Sequence, residues 1–474
     1  MKILYVTSES TPFIKTGGLA DVAGSLPNAI RKKGHDIRVV LPLYSKIKEE
    51  YRKQMKYIGY YYVDFSWKHK YCGVFELVHD DVTFYFLDNE DYFKRSNIYG
   101  ENDDYERFIF FSKASVILPK YLDFKCDVIH ANDWHTGLVP VYVNDFREGD
   151  SFYNDIKTLY TIHNIKYQGQ FDRSIFFLTG LPGKYLSYND LEFDFGINFM
   201  KAGIVHSTKF NTVSKTYAEE IKYDFFGEGL QGVINHYSYK LSGIVNGLDF
   251  DIWDPETDKI IHKNYDFKTI KNKVQNKTFL QKRFGLPVRE DVPLIAMVTR
   301  LTKMKGIDIL RYIFEELIQE DIQFVILGTG EYEYEEMFKY FEYKYPEKVA
   351  ARMYFDTNEA NMIYAASDLY MMPSVSEPCG ISQLIALRYG SLPIVRETGG
   401  LKDTVLPYNK FTGDGTGFTF ANVNAHELLF KTKEAVDLYY NNKKNFKKLI
   451  KNAMISDFDW DKSRDEYISL YRSL

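Results

Sequence analysis

The stretch KILYVTSESTPFIKTGGLADVAGSLPNAIRKKGHDIRVVL, residues 2–41, contains the pattern that the rest of the chain repeats. Lys2–Val6 and Asp36–Leu41 are short apolar runs rich in β-branched residues, which predicts two strands. Between them, apolar residues recur at helical spacing, at Leu19, Val22, Ala23, Leu26, Ala29 and Ile30. Gly34 then ends the predicted helix. The stretch therefore predicts a strand–helix–strand unit with a glycine-containing loop at the carboxyl end of its first strand.

The same alternation continues to the end of the chain. In the first half it recurs at Asp127–His130, Lys157–Ile162 and Gly203–Val213. In the second half strands are predicted at Pro293–Thr299, Gln323–Leu327, Arg352–Phe355, Asp368–Met372 and Leu392–Val395. Strands that alternate with helices predict an α/β fold with parallel sheets covered by helices on both faces.

The length of 474 residues predicts more than one domain, since domains average ~150 residues. The Asn246-Gly247 turn precedes a polar, lysine-rich segment, Asp254–Gln281, which has no strand pattern and suits a joint between two sheets. We expect domains at residues 1–248 and 249–456 and a helix at residues 457–474. Ligands bind outside the carboxyl ends of the strands in doubly wound sheets, so functional residues are expected in strand-to-helix loops.

The composition excludes several classes of function. A net charge of -5 gives no basic footprint, so no nucleic acid partner is expected. Three widely spaced cysteines indicate neither a disulfide framework nor a metal knuckle. The amino terminus turns polar after Val6, and no apolar run approaches the ~18 residues of a membrane span. We therefore expect a cytoplasmic protein with no membrane partner. Aromatic residues reach 17%, and a minority of them could stack on sugar rings.

The first loop with chemical character is Lys15-Thr16-Gly17-Gly18-Leu19-Ala20-Asp21-Val22. Paired glycines at a helix start let the backbone approach a ligand, and free amides there favour an anion. Lys15 adds a positive charge two residues upstream of Gly17. A plain glycine-rich turn is the alternative. The chain has neither a GxGxxG after its first strand nor a GxxxxGK[ST] motif, which disfavours a nucleotide-cofactor loop.

The second loop, Arg300-Leu301-Thr302-Lys303-Met304-Lys305-Gly306, places three cations directly after a predicted strand. The cations would repel one another unless an anion joined them. Arginine offers a bidentate fork to phosphate, and lysine offers a compact charge. A solvated charge run is the alternative, and the position at a strand's carboxyl end favours the phosphate site.

The third loop, Pro373–Ser382, is predicted to open a helix that runs to Gly390. Glu377 would then lie at the helix amino terminus with Pro378 in the first turn, which is a sufficient arrangement for capping alone. The functional alternative is a carboxylate that contacts sugar hydroxyls or stabilises an oxocarbenium-like centre.

Two further loops contain histidines, His130–His135 and His163–Gly169. Their spacing does not suit metal ligation, and no Cys/His group that would complete a site lies nearby in the sequence, so no metal is expected. The short DxD patterns at Asp249–Asp251 and Asp457–Asp459 lie away from the predicted loops and carry no functional prediction.

Taken together, these loops resemble those of the bacterial glycogen synthases and plant starch synthases that use ADP-glucose. The match covers nearly the whole chain. Its motifs are, in order, KTGGLADVAGSLP (15–27), DWHTGL (133–138), HNIKYQG (163–169), NGLD (246–249), TRLTKMKGID (299–308), EPCGISQL (377–384) and TGGLKDTV (398–405).

The resemblance implies a GT-B fold, in which two Rossmann-like doubly wound domains face each other across a deep cleft and the C-terminal helix crosses back to the N-terminal domain. It also implies retaining transfer of glucose from ADP-glucose to the non-reducing 4-hydroxyl of an α-1,4-glucan. The expected partners are the glucan (glycogen) acceptor and ADP-glucose, which is a substrate, and no cofactor is implied.

The resemblance assigns roles to individual positions. Catalytic roles fall on Arg300, Lys305, Glu377 and His163. Donor contacts fall on Lys15, Gly17, Gly18, Asp21, Tyr99, Asn246, Phe355, Cys379, Gly380, Ile381 and Ser382. Asp133 and His135 are assigned to the acceptor side. The chain departs from the family at Val375-Ser376, where Arg-Phe is usual, and at Met304, where Gln is frequent.

Three other functions compete with this one. A related retaining transferase would use UDP-glucose. A catalytically silent α-glucan-binding protein would be expected to have lost Lys15, Arg300, Lys305 or Glu377, and all four are present. A nicotinamide-dependent dehydrogenase shares the sheet but needs the missing glycine fingerprint.

Overall fold

The computed structural model describes all 474 residues and divides them into two compact units. Unit 1 comprises Met1–Gly247 and Trp460–Leu474, and unit 2 comprises Leu248–Asp459. Unit 2 is thus inserted into unit 1, and the chain passes between the units twice. None of the helices combines the length and the apolar character needed to cross a bilayer.

Unit 1 is built on a nine-stranded sheet in the order β12-β11-β7-β6-β1-β2-β5-β4-β3, with a small sheet β8-β10-β9 beside it. The strands are β1 Lys2–Val6, β2 Asp36–Pro42, β3 Lys56–Phe65, β4 Lys68–His79, β5 Val82–Asp88, β6 Val128–Asn132, β7 Lys157–Ile162, β8 Gln170–Asp172, β9 Glu192–Phe193, β10 Gly196–Asn198, β11 Lys209–Thr212 and β12 Leu241–Gly243. The helices are α1 Gly18–Lys32, α2 Glu49–Arg52, α3 Glu90–Phe93, α4 Asp104–Tyr121, α5 Val139–Arg147, α6 Phe199–His206, α7 Lys215–Glu220, α8 Asp224–Gly227 and α9 Gln231–His236.

The central strands of this sheet are parallel and buried. β1 pairs with β2 on one side and with β6 on the other, both in parallel. Ile3 to Val6 are fully buried, which is what an apolar run covered on both faces predicts. All six apolar positions that predicted helix α1 are buried on its inner face. The strand–helix–strand unit predicted from residues 2–41 is therefore confirmed.

Unit 2 is built on a six-stranded parallel sheet in the order β15-β14-β13-β16-β17-β18. Its strands are β13 Leu294–Val298, β14 Gln323–Leu327, β15 Val349–Arg352, β16 Leu369–Met372, β17 Leu392–Arg396 and β18 Phe418–Phe420. Its helices are α10 Lys273–Phe284, α11 Ile307–Leu317, α12 Tyr332–Lys344, α13 Thr357–Ala366, α14 Ser382–Arg388, α15 Gly399–Thr404, α16 Ala425–Asn441 and α17 Lys443–Met454. The side chains of β13 alternate between two apolar cores, with Ile295 in one and Ala296 in the other.

Several predicted elements are wrong in position. Within Gly203–Val213 the chain first completes α6 as far as His206, and only Lys209–Thr212 forms a strand. The strand predicted at Arg352–Phe355 lies at Val349–Arg352, because Val349 and Ala350 are the residues that the sheet buries. The antiparallel strands β3 to β5, which the sequence analysis did not predict, extend the sheet of unit 1.

The last helix, α18 (Trp460–Arg472), packs on unit 1 through a buried hydrogen-bond network. The Thr161 hydroxyl donates to Asn211 Oδ1 at 2.6 Å, so it accepts from His130 Nε2–H, also at 2.6 Å. His130 Nδ1 then accepts from the Tyr471 hydroxyl at 2.8 Å. Burial lowers the pKa of His130 well below its usual value, so the ring is neutral. The network fixes α18 against β6 and β7.

We predict that Tyr471→Phe lowers the free energy of unfolding of unit 1 by about 1–3 kcal/mol, because His130 Nδ1 would be left buried without a donor. Urea denaturation followed by tryptophan fluorescence measures the change. Tyr239→Phe removes a hydroxyl from a side chain that is 76% exposed and serves as the control. Equal midpoints for both variants and the wild type would contradict the role given to this hydrogen bond.

Candidate active site

In unit 1 the polar loops follow three neighbouring strands. β7, β6 and β1 are adjacent and parallel, so their carboxyl ends lie at one edge of the sheet. The loop with Lys15 follows β1, the Asp133–His135 segment follows β6, and His163 follows β7. The sheet therefore brings together groups that are far apart in the sequence.

Glu9 holds the loop that leads into α1. Its carboxylate accepts hydrogen bonds from the backbone N–H of Thr16 and, at 3.0 Å, from the Thr16 hydroxyl. Glu9 is only 3% exposed, and burial raises its pKa to about 7. Glu9 is also one of the groups that raise the pKa of the Asp133 carboxyl. Glu9 is thus a buried group that positions the loop.

Lys15 and Gly17 lie on the outer side of this loop. The Lys15 ammonium donates to Asp21 Oδ1 at 2.6 Å, and both side chains are partly exposed. Gly17 has an extended backbone, and a Cβ placed there would meet no protein atom within 4 Å. Neither conformation nor packing requires glycine at this position, so the open backbone is available to a ligand.

Asp133 and His163 are joined through the backbone after β7. The Asp133 carboxylate accepts from the backbone N–H of His163 at 2.7 Å, and burial raises its pKa to about 7. Asn132 donates its Nδ2 to Val6 O at 3.0 Å, which turns its Oδ1 toward His163 Nε2, also at 3.0 Å. His163 therefore carries its proton on Nε2, and burial lowers its pKa to about 3, so it is a neutral imidazole near pH 7.

Tyr99 and His135 form a second pair in unit 1, linked by Ser8. Their rings stack with centroids 4.3 Å apart, and the Ser8 hydroxyl lies 2.8 Å from the Tyr99 hydroxyl and 3.2 Å from His135 Nδ1. Burial lowers the pKa of His135 well below its usual value and raises that of Tyr99. Both Glu9 and Asp133 raise the pKa of Tyr99 further, which places all these groups in one electrostatic neighbourhood.

In unit 2 the corresponding loops follow β13, β16 and β17, which are again adjacent and parallel. The Lys305 ammonium donates to Glu377 Oε2 at 2.5 Å, and the Ser374 hydroxyl donates to the same oxygen at 2.9 Å. The other carboxylate oxygen of Glu377 accepts no hydrogen bond from the protein. Arg300 is exposed and forms no ion pair. One loop thus presents a free guanidinium beside a lysine that is paired with a carboxylate.

Glycines allow the three loops of unit 2 to touch through their backbones. A Cβ on Gly306, which has φ +73°, would lie 2.0 Å from Pro373 O. A Cβ on Gly399, at φ +44°, would lie 2.0 Å from Glu377 O. The N–H of Val375 donates to Met304 O at 2.9 Å, which ties the first two loops together directly. Side chains at either glycine would separate Lys305 from Glu377.

Arg396, at the end of β17, holds the segment before Glu377. Its guanidinium donates to Ser374 O at 2.9 Å, to Val375 O, and to Ala421 O at 3.2 Å. It is 6% exposed and its donors point at backbone carbonyls, so it positions the loop. The family usually has Arg-Phe where this chain has Val375-Ser376, and in this chain Arg396 places a cation against that segment.

Other residues predicted to contact the donor lie at several separate positions. Cys379 to Ser382 form a turn before α14 in which Gly380 has φ +77° and Gln383 Nε2 donates to the carbonyls of Cys379 and Gly380. The N–H groups of Gly380 and Ile381 donate to no protein acceptor. Phe355 lies on the loop after β15 and is 69% exposed. Asn246 is buried, and its Oδ1 has no protein partner.

One local prediction is wrong. Helix α14 begins at Ser382 and ends at Arg388, so Glu377 is not at a helix amino terminus and does not cap it. The Lys305 and Ser374 contacts occupy its carboxylate instead. Four residues of the site were not predicted from the sequence, namely Glu9, Asn132, Ser374 and Arg396. All four lie at a strand's carboxyl end or within three residues after it, which is the signal that could have found them. No group of three or more His, Cys, Asp or Glu side chains is arranged to hold a metal ion.

These two sets of loops are similar to those of known glycosyltransferases. Residues 2–236 match a family model described as starch synthase catalytic domain, and residues 279–455 match glycosyl transferases group 1. A glycogen synthase from Finegoldia magna is 57% identical over 475 residues, with 100% of both chains covered. A glycogen synthase from Clostridium acetobutylicum is 51% identical, again with 100% of both chains covered.

Solved structures show the same relationship. The catalytic domain of starch synthase IV from Arabidopsis thaliana, bound to ADP and acarbose, has a TM-score of 0.92 and 30% identity, with 100% of this chain and 99% of that chain covered. Sucrose-phosphate synthase from Thermosynechococcus elongatus has a TM-score of 0.59 at 15% identity and 100% and 98% coverage, which is a likeness of fold alone.

The fold and the loops define a glycosyltransferase of the GT-B class, as predicted. More narrowly, the chain belongs to the family of the bacterial glycogen synthases and plant starch synthases, which extend α-glucans with glucose. The family and the enzyme class predicted from the sequence motifs are confirmed.

We predict that Glu9→Gln changes the pH dependence of stability. The folded pKa of Glu9, about 7, lies above the ordinary value of 4.5, so the stability from this group is present below pH 4.5 and is lost as the pH rises through 7. Glutamine does not ionise and keeps an acceptor for Thr16. Relative to the wild type, the variant should therefore gain up to about 3 kcal/mol between pH 5 and pH 8.

Urea denaturation at pH 5, 6, 7 and 8 measures this difference. Asp133 titrates in both proteins, but the charge of Glu9 contributes to its raised pKa, so in the variant that pKa should fall and add to the gain in the same direction. Glu50→Gln, at a side chain that is 61% exposed, is the matched control and should run parallel to the wild type. A Glu9→Gln curve that also runs parallel to the wild type would show that Glu9 is not the titrating group.

Proposed function

We propose that the protein transfers glucose from ADP-glucose to the non-reducing 4-hydroxyl of an α-1,4-glucan, retains the anomeric configuration and releases ADP. The observation that carries this proposal is the loop of unit 2 in which the unpaired Arg300 accompanies Lys305, itself hydrogen bonded to Glu377 at 2.5 Å. Membership of the family indicates the reaction, and this loop contains the cations that would bind an anionic leaving group.

The diphosphate is assigned to Arg300 and Lys305. A guanidinium without a protein partner has five N–H donors in a planar fork, and the lysine ammonium has two donors left after its bond to Glu377. Both cations stabilise the negative charge that develops on ADP as the C1–O bond breaks. Stabilisation of charge that develops in the transition state can supply several kcal/mol.

The transferred sugar is assigned to Glu377 and the turn after it. Ser374 and Lys305 fix Glu377 Oε2, which leaves Oε1 to accept from a sugar hydroxyl. The N–H groups of Cys379, Gly380, Ile381 and Ser382 are assigned to the donor, and the exposed ring of Phe355 is assigned to the adenine.

The residues of unit 1 are assigned to the donor glucose and to the acceptor. Donor contacts are proposed for Lys15, Gly17, Gly18, Asp21, Tyr99, His163 and Asn246. The open backbone at Gly17 and the neutral ring of His163, with its proton on Nε2, support this assignment. Asp133 and His135 are proposed to serve the acceptor side.

Retention requires either a covalent intermediate or attack from the face of the leaving group. In this assignment both oxygens of Glu377 are engaged, Oε2 by Lys305 and Ser374 and Oε1 by a sugar hydroxyl, which disfavours Glu377 as a nucleophile. We therefore assign front-face attack: the acceptor 4-oxygen bonds to C1, the C1–O bond to the diphosphate breaks, and the departing phosphate oxygen takes the acceptor proton. The cations are side chains, so we expect activity to be unchanged by EDTA. We also propose a cytoplasmic location.

The reaction is tested by incorporation of labelled glucose into glycogen by the purified protein, with ADP-glucose and UDP-glucose compared side by side. We expect incorporation from ADP-glucose. Activity with UDP-glucose alone would place the protein among the related UDP-glucose transferases. Binding of glycogen without incorporation from either donor would instead favour a silent glucan-binding protein.

We predict that Lys305→Ala and Arg300→Ala each lower kcat by about 10²-fold or more, because each removes a cation that acts on the leaving diphosphate. Two controls match them in charge. Lys303→Ala removes an exposed cation from the same turn as Lys305. Arg311→Ala removes an exposed arginine of α11 that is paired with Glu333. The controls should retain most of the activity, and melting temperatures should be similar throughout. A loss of stability that matches the loss of rate would refute these assignments.

A further inference from the structure

Two neighbouring strands of the sheet in unit 2, β13 and β16, separate at their carboxyl ends. β13 pairs with β14 at all five of its residues but with β16 at only two, and the second of these pairs is Ala296 with Tyr370. β16 in turn stays paired with β17 as far as Met372. The sheet therefore has a local opening between β13 and β16, and both strands remain paired on their other sides.

This opening lies where the strand order reverses. β14 and β15 lie on one side of β13, whereas β16, β17 and β18 lie on its other side. Such a switch point leaves a crevice outside the carboxyl ends of the strands, and ligands bind there. The loop with Arg300 and Lys305 follows β13, and the loop with Ser374 and Glu377 follows β16. The width of the opening therefore affects how far apart these groups lie.

The hydroxyl of Tyr370 bridges the base of the opening. The N–H of Thr299 donates to Leu327 O on β14, so the peptide groups of the preceding residue, Val298, are directed to the other side, toward β16. The ladder with β16 ends before it reaches Val298. Instead the Val298 N–H donates to the Tyr370 hydroxyl at 3.2 Å, and this hydroxyl donates to Val298 O at 3.0 Å. One side chain thus replaces two backbone hydrogen bonds of the ladder.

The sequence explains why the ladder stops at this point. Continued in the same register, the ladder would pair Val298 with Met372, and Val298 O would then need the N–H of residue 373. Residue 373 is proline, which has no N–H. The Val298 carbonyl therefore depends on a side chain for its hydrogen bond, and Tyr370 supplies it.

A second tyrosine orients this hydroxyl. The single proton of the Tyr370 hydroxyl goes to Val298 O, so the Tyr364 hydroxyl, 3.2 Å away, is the donor between the two phenols. Tyr370 is fully buried and Tyr364 is 3% exposed. Burial raises the pKa of both phenols, so both keep their protons. The bridge is therefore neutral and out of contact with bulk water.

The opening is also fixed at its outer end. There the N–H of Val375 donates to Met304 O at 2.9 Å, which joins the two loops beyond the strands. Arg300 lies two residues after Val298 and four before Met304, so both ends of its segment are held. The hydroxyl of Tyr370 holds the inner end, and the backbone holds the outer end.

We propose that Tyr370 is a positioning residue for the diphosphate of the donor, and that it acts through Val298 on Arg300. The proposal rests on the proposed function, in which Arg300 binds that diphosphate. Without the hydroxyl, the peptide groups of Val298 must find partners in β16 or in water that enters the opening. Either change moves the end of β13 and Arg300 with it. The diphosphate then loses a guanidinium that is in place before binding.

The test is Tyr370→Phe in the full chain, which keeps the ring and removes only the hydroxyl. We expect the Kd for ADP, measured by calorimetry, to rise about tenfold, and kcat with ADP-glucose to fall about tenfold. The KM for glycogen should stay unchanged, because the acceptor does not contact Arg300. The control, Tyr389→Phe, removes another fully buried hydroxyl of unit 2, which donates to Asp258 Oδ2 at 2.6 Å. It should lower the melting temperature without changing the Kd for ADP or kcat.

A double-mutant cycle tests the route through Arg300. In the Arg300→Ala background, Tyr370→Phe should change the Kd for ADP by no more than about twofold, since the group that it positions is already absent. An undiminished tenfold change would overturn the proposal and point instead to Ser382, whose hydroxyl also lies beside Tyr370.

The outcomes separate this proposal from the proposed function. A wild type that neither binds ADP nor incorporates glucose refutes the proposed function. An active wild type with an unchanged Tyr370→Phe variant refutes the role of Tyr370, as does an equal loss of ADP affinity in Tyr389→Phe. If Tyr370→Phe does not fold, Tyr364→Phe replaces it, because it removes only the donor that orients the Tyr370 hydroxyl. We then expect a rise of about threefold in the Kd for ADP, and an unchanged Kd would refute the proposal.

Discussion

Parallel strands that are hydrogen-bond neighbours must end at the same edge of their sheet, and the site of each unit depends on this constraint. In unit 1 the edge collects the loops after β1, β6 and β7, and in unit 2 it collects those after β13, β16 and β17. Backbone contact between loops then sets the fine geometry, because Gly306 and Gly399 let neighbouring loops approach within van der Waals distance. The pairing of Lys305 with Glu377 is a consequence of that approach.

Buried polar groups around both sites mainly hold the backbone of neighbouring loops and fix the protonation of a neighbouring side chain. Glu9 binds a backbone amide of one loop, and Arg396 binds backbone carbonyls of another. Removing either side chain would therefore change the position of residues that it does not contact. Asn132 fixes which nitrogen of His163 carries the proton. These groups give the exposed residues a defined geometry before any substrate is present, which reduces the reorganisation that a reaction would require.

Much of the fold could be predicted from the sequence, because the central strands are apolar on both faces. The prediction for Gln323–Leu327 matches β14 at both ends. The prediction for β15 failed because Met353 to Phe355 are more apolar than the small residues Ala350 and Ala351, and only pairing with β14 decides which are buried. In the site, motif residues could be named, whereas Glu9, Ser374 and Arg396 could not. Each is a single polar residue outside the motifs, and its role follows from a hydrogen bond that only the folded chain shows: Glu9 with Thr16, Ser374 with Glu377 and Arg396 with Ser374.

The insertion of unit 2 within unit 1 has a consequence for synthesis on the ribosome. Unit 2 is one continuous segment and is complete in the nascent chain before residues 460–474 are made. Unit 1 acquires α18 only after all of unit 2 has been translated. Until then the face of β6 that carries His130 lacks Tyr467 and Tyr471. A message that stops just before codon 460 would therefore yield a finished unit 2 and a unit 1 with an uncovered core.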